Sequence, residues 1–281
     1  MRWRWRWAGW LSGGLVLISL LLLWAVSART MANYTAPDGP IFTGNFAGSP
    51  PPVPSQIRVV SWNIRFGEEV ATAVAEIRRN PNLANADILL LQEMDEAGVA
   101  RLAQALAYNY VYIPASVHSH HGRNFGNAVL AKWPISQPEK LLLPFTNPSN
   151  GQRRIAAKAV VNVGDLPLTV YSVHTETYWL RSLGRRAQAT AVVQDISVGQ
   201  SPVIVGGDFN TISKADGARL AGQFAGVGLA RAQTPPTVSI AGIEVTADHL
   251  FARSLAVAAA GGAETAASDH APVWVTFSLI D

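Results

Sequence analysis

Residues 203–210 read Val203-Ile204-Val205-Gly206-Gly207-Asp208-Phe209-Asn210. Three consecutive aliphatic residues without polar alternation describe a short strand buried on both faces. The two glycines leave no side chain where the strand ends, and an acid and an amide follow. A strand covered on both faces needs a packed layer on each side. The rest of the chain offers those layers. Ile57–Trp62, Ile88–Leu91, Asn127–Ala131, Ile155–Val163, Leu168–Val173, His249–Phe251 and Val273–Ser278 are further apolar runs bounded by turn residues, and each reads as a strand. Glu69–Arg79, Ala97–Ala107 and Leu183–Ile196 carry apolar residues at helical spacing. Strands outnumber helices and the helices fall between them. The expected fold is therefore α/β: two packed mixed β-sheets flanked by helices, a four-layer α/β sandwich, preceded by one N-terminal hydrophobic helix.

That helix belongs to a separate segment. Residues 1–29 hold Arg2, Arg4 and Arg6 ahead of an uncharged stretch that ends at Arg29. Residues 7–28, rich in Leu and Trp, are long enough to cross a hydrocarbon core of about 30 Å. The arginines should stay on the cytoplasmic side, which exports the remainder. The segment reads as a single-pass anchor in a cytoplasmic membrane with the folded part outside, or as a signal cleaved near Ala28, where small residues stand. Residues 30–56, rich in Pro and Gly, read as an extended linker, and residues 57–281 as the folded domain, expected to be a monomer.

Charge follows the same division. The chain carries 22 basic and 19 acidic residues, but four of the bases are arginines in residues 1–29. The rest holds 18 bases against 19 acids, a net charge of −1. A near-neutral domain lacks the basic footprint of a tight non-specific nucleic-acid binder. With no cysteine, disulfides, thiolate metal sites and cysteine nucleophiles are excluded.

Polar residues recur where apolar strands emerge. Asn63 closes IRVVSWN, Glu93 closes ILLLQE, His174 closes TVYSVH, Asp208 and Asn210 close VIVGGDFN, Asp248 opens DHLF, and Asp269 and His270 stand at the head of SDHAPVWV. Each alone has an ordinary reading as a turn or buttressing residue. Glu93 after a run of aliphatic residues is the hardest to explain that way, because an unpaired charge there is costly. Carboxylates with an Asn carbonyl suit a hard cation such as Mg²⁺ or Mn²⁺. Two histidines beside carboxylates suit proton transfer or charge stabilisation. The sequence contains neither a G-x-S-x-G elbow nor a Walker A loop, which favours activated water over a covalent nucleophile.

The ordered series SWNIRFG, LLLQEMD, FGNAVLAKWPI, SVHTE, GGDFN, DHLF and SDHAPV resembles the endonuclease/exonuclease/phosphatase superfamily of deoxyribonuclease-I-like phosphoesterases, in a membrane-tethered bacterial form. The resemblance implies a divalent-metal-dependent hydrolase of phosphoester bonds. Asn63, Glu93 and Asp269 would be metal ligands. His174, Asp208, Asn210, Asp248 and His270 would be catalytic, with Asp208 acting on the attacking water and Asp248 holding the His270 ring. The substrate would be a lipid-linked phosphate or, alternatively, extracytoplasmic DNA or RNA. A non-catalytic relative that only binds phosphorylated ligands is the remaining alternative.

Four further residues are candidate substrate contacts: Arg123, Asn127, Arg153 and Arg154. The last two precede a strand and could clamp a phosphate bidentately. His118, His120 and His121 read as a solvated loop beside the pocket, and Arg185 and Arg186 as a solvated helix face. One departure stands out. The deoxyribonuclease branch buttresses its first histidine with a carboxylate near the GNAVL element, and GRNFGNAVLAKWP contains no acid. Glu176 is a possible substitute, and the partner of His174 stays open at this level.

Overall fold

The computed structural model describes residues 17–19, 32–119, 121–177, 182–196 and 201–279. The proposed anchor at 7–28 lies outside the described residues apart from 17–19, as does His120. Among the described residues no helix is long and apolar enough to cross a membrane.

From residue 32 the chain forms two short strands, β1 (Ala32–Asn33) and β2 (Phe42–Asn45), followed by β3 (Gln56–Asn63), helices α1 (Val70–Arg79) and α2 (Pro81–Ala84), β4 (Ile88–Met94) and α3 (Glu96–Leu106). Five strands follow: β5 (Asn109–Val117), β6 (Asn124–Ala131), β7 (Ile135–Thr146), β8 (Arg153–Val163) and β9 (Leu166–His174). Then come α4 (Ser182–Asp195), β10 (Val203–Asp208), α5 (Lys214–Ala225), β11 (Ala230–Arg231), the hairpin β12 (Val238–Ile240) and β13 (Ile243–Val245), β14 (Asp248–Arg253), β15 (Leu255–Gly262) and β16 (Val273–Leu279).

Two mixed sheets stack. One runs β1-β5-β6-β4-β3-β16-β15, with β2 also on β5; the other runs β11-β14-β10-β9-β8-β7. Alternation within the apolar runs sorts side chains between layers. Ile57 and Val59 of β3, Ile88 and Leu90 of β4, and Ile204 of β10 fill the space between the sheets, together with Val170, Leu250 and Val275. Their neighbours Val60, Trp62, Leu89 and Leu91 face outward onto Val74, Ile77, Val99 and Leu102 of α1 and α3. On the other side Val203 and Val205 meet Val192 of α4 and Leu220 and Phe224 of α5. The result is the helix–sheet–sheet–helix sandwich.

The stretch at 203–208 now has a local explanation. A Cβ on Gly206 would come within 2.6 Å of Leu250 and 2.7 Å of Leu90, so glycine permits the close approach of the two sheets. At Gly207 φ is +153°, and a Cβ would run into the carbonyl oxygen of Val173 on β9. Gly207→Ala is expected to cost about 3 kcal/mol or more, read as a lower urea midpoint. A midpoint unchanged from wild type would show that the backbone relaxes freely there.

Several elements differ from the sequence expectation. The interval 30–56, expected to be a linker, contributes β1 and β2, which pair with β5. Strand β7 carries Pro138 and Pro144 and sits at the sheet edge, where a missing N–H is tolerated. Strand β5 accommodates Pro114 at a register shift opposite β6. Helix α5 contains Gly217 and Gly222, which weaken the helical signal, yet Ser213 caps it by accepting from the Asp216 N–H at 3.1 Å. Arg185, expected to be solvated, is buried and faces Asp216 at 3.7 Å between α4 and α5. Two histidines expected in a solvated loop pack inward too: the His118 and His121 rings lie 4.8 and 4.6 Å from that of Phe66.

Candidate active site

Strand register brings the polar positions to one edge of the sandwich. Asp208 pairs with Asp248 across β10 and β14, and with His174 across the parallel β9. In the other sheet Asn63 pairs with Gln92, one residue before Glu93. Behind the site the sheets are tied together. Gln92 Nε2 donates to Ser172 Oγ at 2.9 Å, and Ser172 Oγ donates to the Leu91 carbonyl at 2.9 Å. The site thus stands on two sheets fixed relative to each other, which is where a precise arrangement can be held.

Asn63 links the two halves. Its Nδ2 donates to Glu93 Oε1 and to Asp208 Oδ2, both at 3.1 Å. Glu93 adopts φ +59°, a left-handed conformation unusual for this residue, and its Oε2 accepts from the Phe66 N–H at 3.3 Å. Burial pushes the Glu93 carboxyl above its ordinary value, against the pull of Arg154, Asn63 and His270. Asp208 accepts from the Asn210 N–H at 2.8 Å and from Asn210 Nδ2 at 3.2 Å. Burial raises Asp208 to about 7, with Asp248 and Glu93 adding to the rise and His270 opposing it.

The imidazoles are held differently. His270 Nδ1 lies 2.8 Å from Asp248 Oδ2, and its Nε2 lies 3.8 Å from Asp208. Burial disfavours the charged ring, but Asp248, Asp208 and Glu93 outweigh it and hold His270 up to about 10. Trp62 Nε1 donates to the His270 carbonyl at 2.8 Å, and Ser268 Oγ donates to the Asn63 carbonyl at 2.7 Å, fixing this loop on β3. The Asp248 N–H and the Ala247 N–H both donate to Thr237 Oγ1, which positions the acid.

His174 Nε2 lies 3.5 Å from Asp208 and 3.7 Å from Glu93. Its Nδ1 is 3.2 Å from a guanidinium nitrogen of Arg154. Burial, then Arg154 and His270, push His174 well below its ordinary value. Arg154 also forks onto Glu176, at 3.3 and 3.2 Å. This answers the open question of the His174 partner: it is an arginine, with Glu176 behind it.

The structure therefore brings together Asn63, Glu93, His174, Asp208, Asn210, Asp248 and His270. Asp269 stands beside them on the exposed rim, close enough to raise Glu93. Two candidate substrate contacts are corrected. Asn127 is buried, and its Nδ2 donates to the Ile155 and Ser172 carbonyls, so it ties the sheets together. Arg153 has one guanidinium nitrogen engaged by the Leu143 carbonyl at 3.2 Å. Arg154 is enclosed behind His174. Arg123, still half exposed, is engaged by Asp95 and by the Phe66 carbonyl. The residues missed by sequence reasoning are the Phe66 amide, Thr237, Ser268 and the function of Arg154; only the Thr-Glu pair following His174 hinted at the last.

The donor set fits a hard cation. Among the described residues, Asn63 Oδ1 is buried without a hydrogen-bond partner beside Glu93, and Asp248 Oδ1 is likewise unpartnered. One ligand atom each from Asp208, Asp248 and His270 falls within 4.8 Å of the others. Of the two groupings, the Asn63–Glu93 side suits a hard cation better, because it offers oxygen donors alone.

A family model described as Endonuclease/Exonuclease/phosphatase family matches residues 60–270. The chain belongs to the endonuclease/exonuclease/phosphatase family. The matched residues run from β3 to His270 and contain every site residue above. The chain is 34% identical over 117 residues to a UPF0294 protein of Vibrio cholerae serotype O1, which is 41% of each sequence; it thus spans about two fifths of that curated relative. Among solved structures, the endonuclease/exonuclease/phosphatase from Beutenbergia cavernae superposes with a TM-score of 0.64 at 20% identity, covering 80% of this chain and 72% of that one. D. rerio TDP2 complexed with single strand DNA product superposes with a TM-score of 0.60 at 20% identity, covering 80% of this chain and all of that one. At such identities the likeness concerns the fold of the endonuclease/exonuclease/phosphatase family.

Proposed function

We propose that this chain is a divalent-cation-dependent hydrolase of compact phosphoesters, and that it works through water. The observation that carries the reading is the convergence of Asn63, Glu93, His174, Asp208 and His270, drawn from both sheets, at 3.1 to 3.8 Å spacings. Glu93 and Asn63, with Asp269 at the rim, would hold Mg²⁺ or Mn²⁺. Such a cation, when bound, supplies neutralisation of the charge that develops at phosphorus. Asp208, with a carboxyl raised to about 7, is suited to orient a water and take its proton. Asn210, set at φ +50° and anchored on Asp208 and on the Thr175 carbonyl, presents its side chain at the same edge. His270, protonated through its contact with Asp248, stabilises negative charge on the departing or non-bridging oxygens.

The charge distribution favours a small phosphoester over a polyanion. Arg65, Arg123 and Arg154 around the site each face a carboxylate, of Glu68, Asp95 and Glu176 respectively, and the chain after residue 29 carries a net charge of −1. Extended nucleic acid would ask for cations not already engaged. Together with the hydrophobic stretch at 7–28, this favours a lipid-linked phosphate handled on the outer side of a cytoplasmic membrane.

The full chain in detergent is expected to hydrolyse bis-p-nitrophenyl phosphate, to lose that activity in EDTA, and to regain it with Mg²⁺ or Mn²⁺. Activity undiminished by chelator would refute cation dependence. In parallel assays, lipid phosphates in mixed micelles should turn over faster than plasmid DNA is nicked; the opposite order would favour the nuclease reading.

A further inference from the structure

The Arg154 guanidinium does more than neutralise Glu176. It lies on β8, two residues before Ala156, which pairs with Val173 on β9, so its side chain reaches the imidazole of His174 from the neighbouring strand. Its three contacts are one to His174 Nδ1 at 3.2 Å and two to the Glu176 carboxylate at 3.3 and 3.2 Å. Glu176 is itself fixed. It accepts from Asn147 Nδ2 at 3.0 Å and the Thr177 N–H at 2.9 Å, and its own N–H donates to Gln188 at 2.7 Å. The guanidinium further stacks over the Phe125 ring at 5.0 Å, and that ring lies 5.8 Å from the ring of His174. The arginine is thus held in one place by three side chains, His174, Glu176 and Phe125, with Asn147 and Gln188 fixing Glu176 behind it.

An arginine side chain carries only donors and keeps its proton under all ordinary conditions. Whatever faces it at hydrogen-bond distance must accept. His174 Nδ1 therefore holds a lone pair, and the ring's proton sits on Nε2. That atom is the one lying 3.5 Å from Asp208 and 3.7 Å from Glu93, and it makes no hydrogen bond among the described residues. A carboxylate in the place of Arg154 would do the reverse: it would put a proton on Nδ1 and favour the doubly protonated ring.

We propose that Arg154 is a positioning residue that fixes His174 as its neutral Nε2–H tautomer, so that this imidazole meets the substrate phosphate as a hydrogen-bond donor and does not carry protons in the reaction. The assignment gives the two histidines separate tasks. His270 is held by Asp248, its Nδ1 2.8 Å from the carboxylate. His174, on Arg154, is a fixed neutral donor aimed at the space between Asp208 and Glu93. The catalytic meaning of this rests on the phosphoester-hydrolase reading, whereas the tautomer itself is a property of the protein without substrate.

The test uses full-length protein labelled with ¹⁵N-histidine, free of metal and at neutral pH, with His174→Gln to assign the signal. His174 is expected to show a pyridine-type Nδ1 and a pyrrole-type Nε2. In Arg154→Met/Glu176→Gln, which removes the guanidinium without leaving a buried charge, the Nδ1 signal should move toward the protonated form, and kcat should fall about 10²-fold. Arg154→Lys, which keeps a cationic donor, should retain the wild-type tautomer and recover most of the rate whether or not the double variant folds. A wild-type His174 with protonated Nδ1 overturns the proposal, as does a wild-type tautomer and rate in the folded double variant. A fixed tautomer in a protein that hydrolyses no phosphoester would instead refute the functional reading and leave the assignment of Arg154 to the ring intact.

Discussion

Asp208→Asn is expected to lower kcat on bis-p-nitrophenyl phosphate by roughly 10²–10⁴-fold, the range lost with a positioned general base, while KM changes little. Asp208 sits at the meeting point of both sheets. Its carboxylate accepts from Asn63 Nδ2 and from the backbone and side-chain nitrogens of Asn210, and both histidines approach it within 3.8 Å. Burial lifts it to about 7, which matches a base working near neutral pH. The amide keeps the shape and removes the basicity. It also sets a donor against donors, at a cost of about 1–3 kcal/mol, which a sandwich of this size tolerates. The rate loss and the stability loss are therefore separable: kcat from initial rates, stability from urea midpoints. Turnover within tenfold of wild type in a folded Asp208→Asn protein would remove Asp208 from the chemistry.

The layering of the fold was legible because it depends on local pattern. Unbroken apolar runs such as Val203–Val205 and Ile88–Leu91 need cover on both faces, and Gly206 marks where two sheets come too close for a side chain. The convergence of the site was legible for a related reason: a carboxylate at the end of four aliphatic residues, as at Glu93, has few affordable surroundings. Less local features escaped. Helix α5 forms despite two internal glycines because Leu220 and Phe224 pack on β10 and β14, a tertiary gain that propensity does not register. Strand β7 tolerates two prolines only because it is an edge. The same blindness affects the arginines. Arg153 and Arg154 are adjacent in sequence, but alternation along β8 sends one toward the Leu143 carbonyl and the other into the site. Nothing in the string RRIAAK distinguishes them; the partner strand, some twenty residues later, does.

The dyad of Asp248 and His270 gives the second large effect. Asp248→Asn should bring the His270 titration down from about 10 toward its ordinary value, and reduce kcat by up to about 10⁴-fold, as when the carboxylate orienting a catalytic imidazole is neutralised in other hydrolases. Stability should respond in a definite direction. In the metal-free protein the folded chain keeps the His270 proton between pH 6.5 and about 10, while the unfolded chain releases it. Stability from this group is complete below 6.5 and is lost as pH rises through 10, on the order of a few kcal/mol in all. Asp208 adds a loss of the same sign at lower pH, because the folded chain keeps that proton up to about 7 and the unfolded chain releases it near 3.8. Chelator-treated wild type should therefore unfold at progressively lower urea concentrations from pH 7 to 10, and Asp248→Asn should flatten that slope. The His270 Cε1–H resonance, followed by NMR across the same range, separates the two proteins directly. If it titrates identically in both, Asp248 does not set the charge of the ring, and the division of labour between His270 and His174 loses its first half.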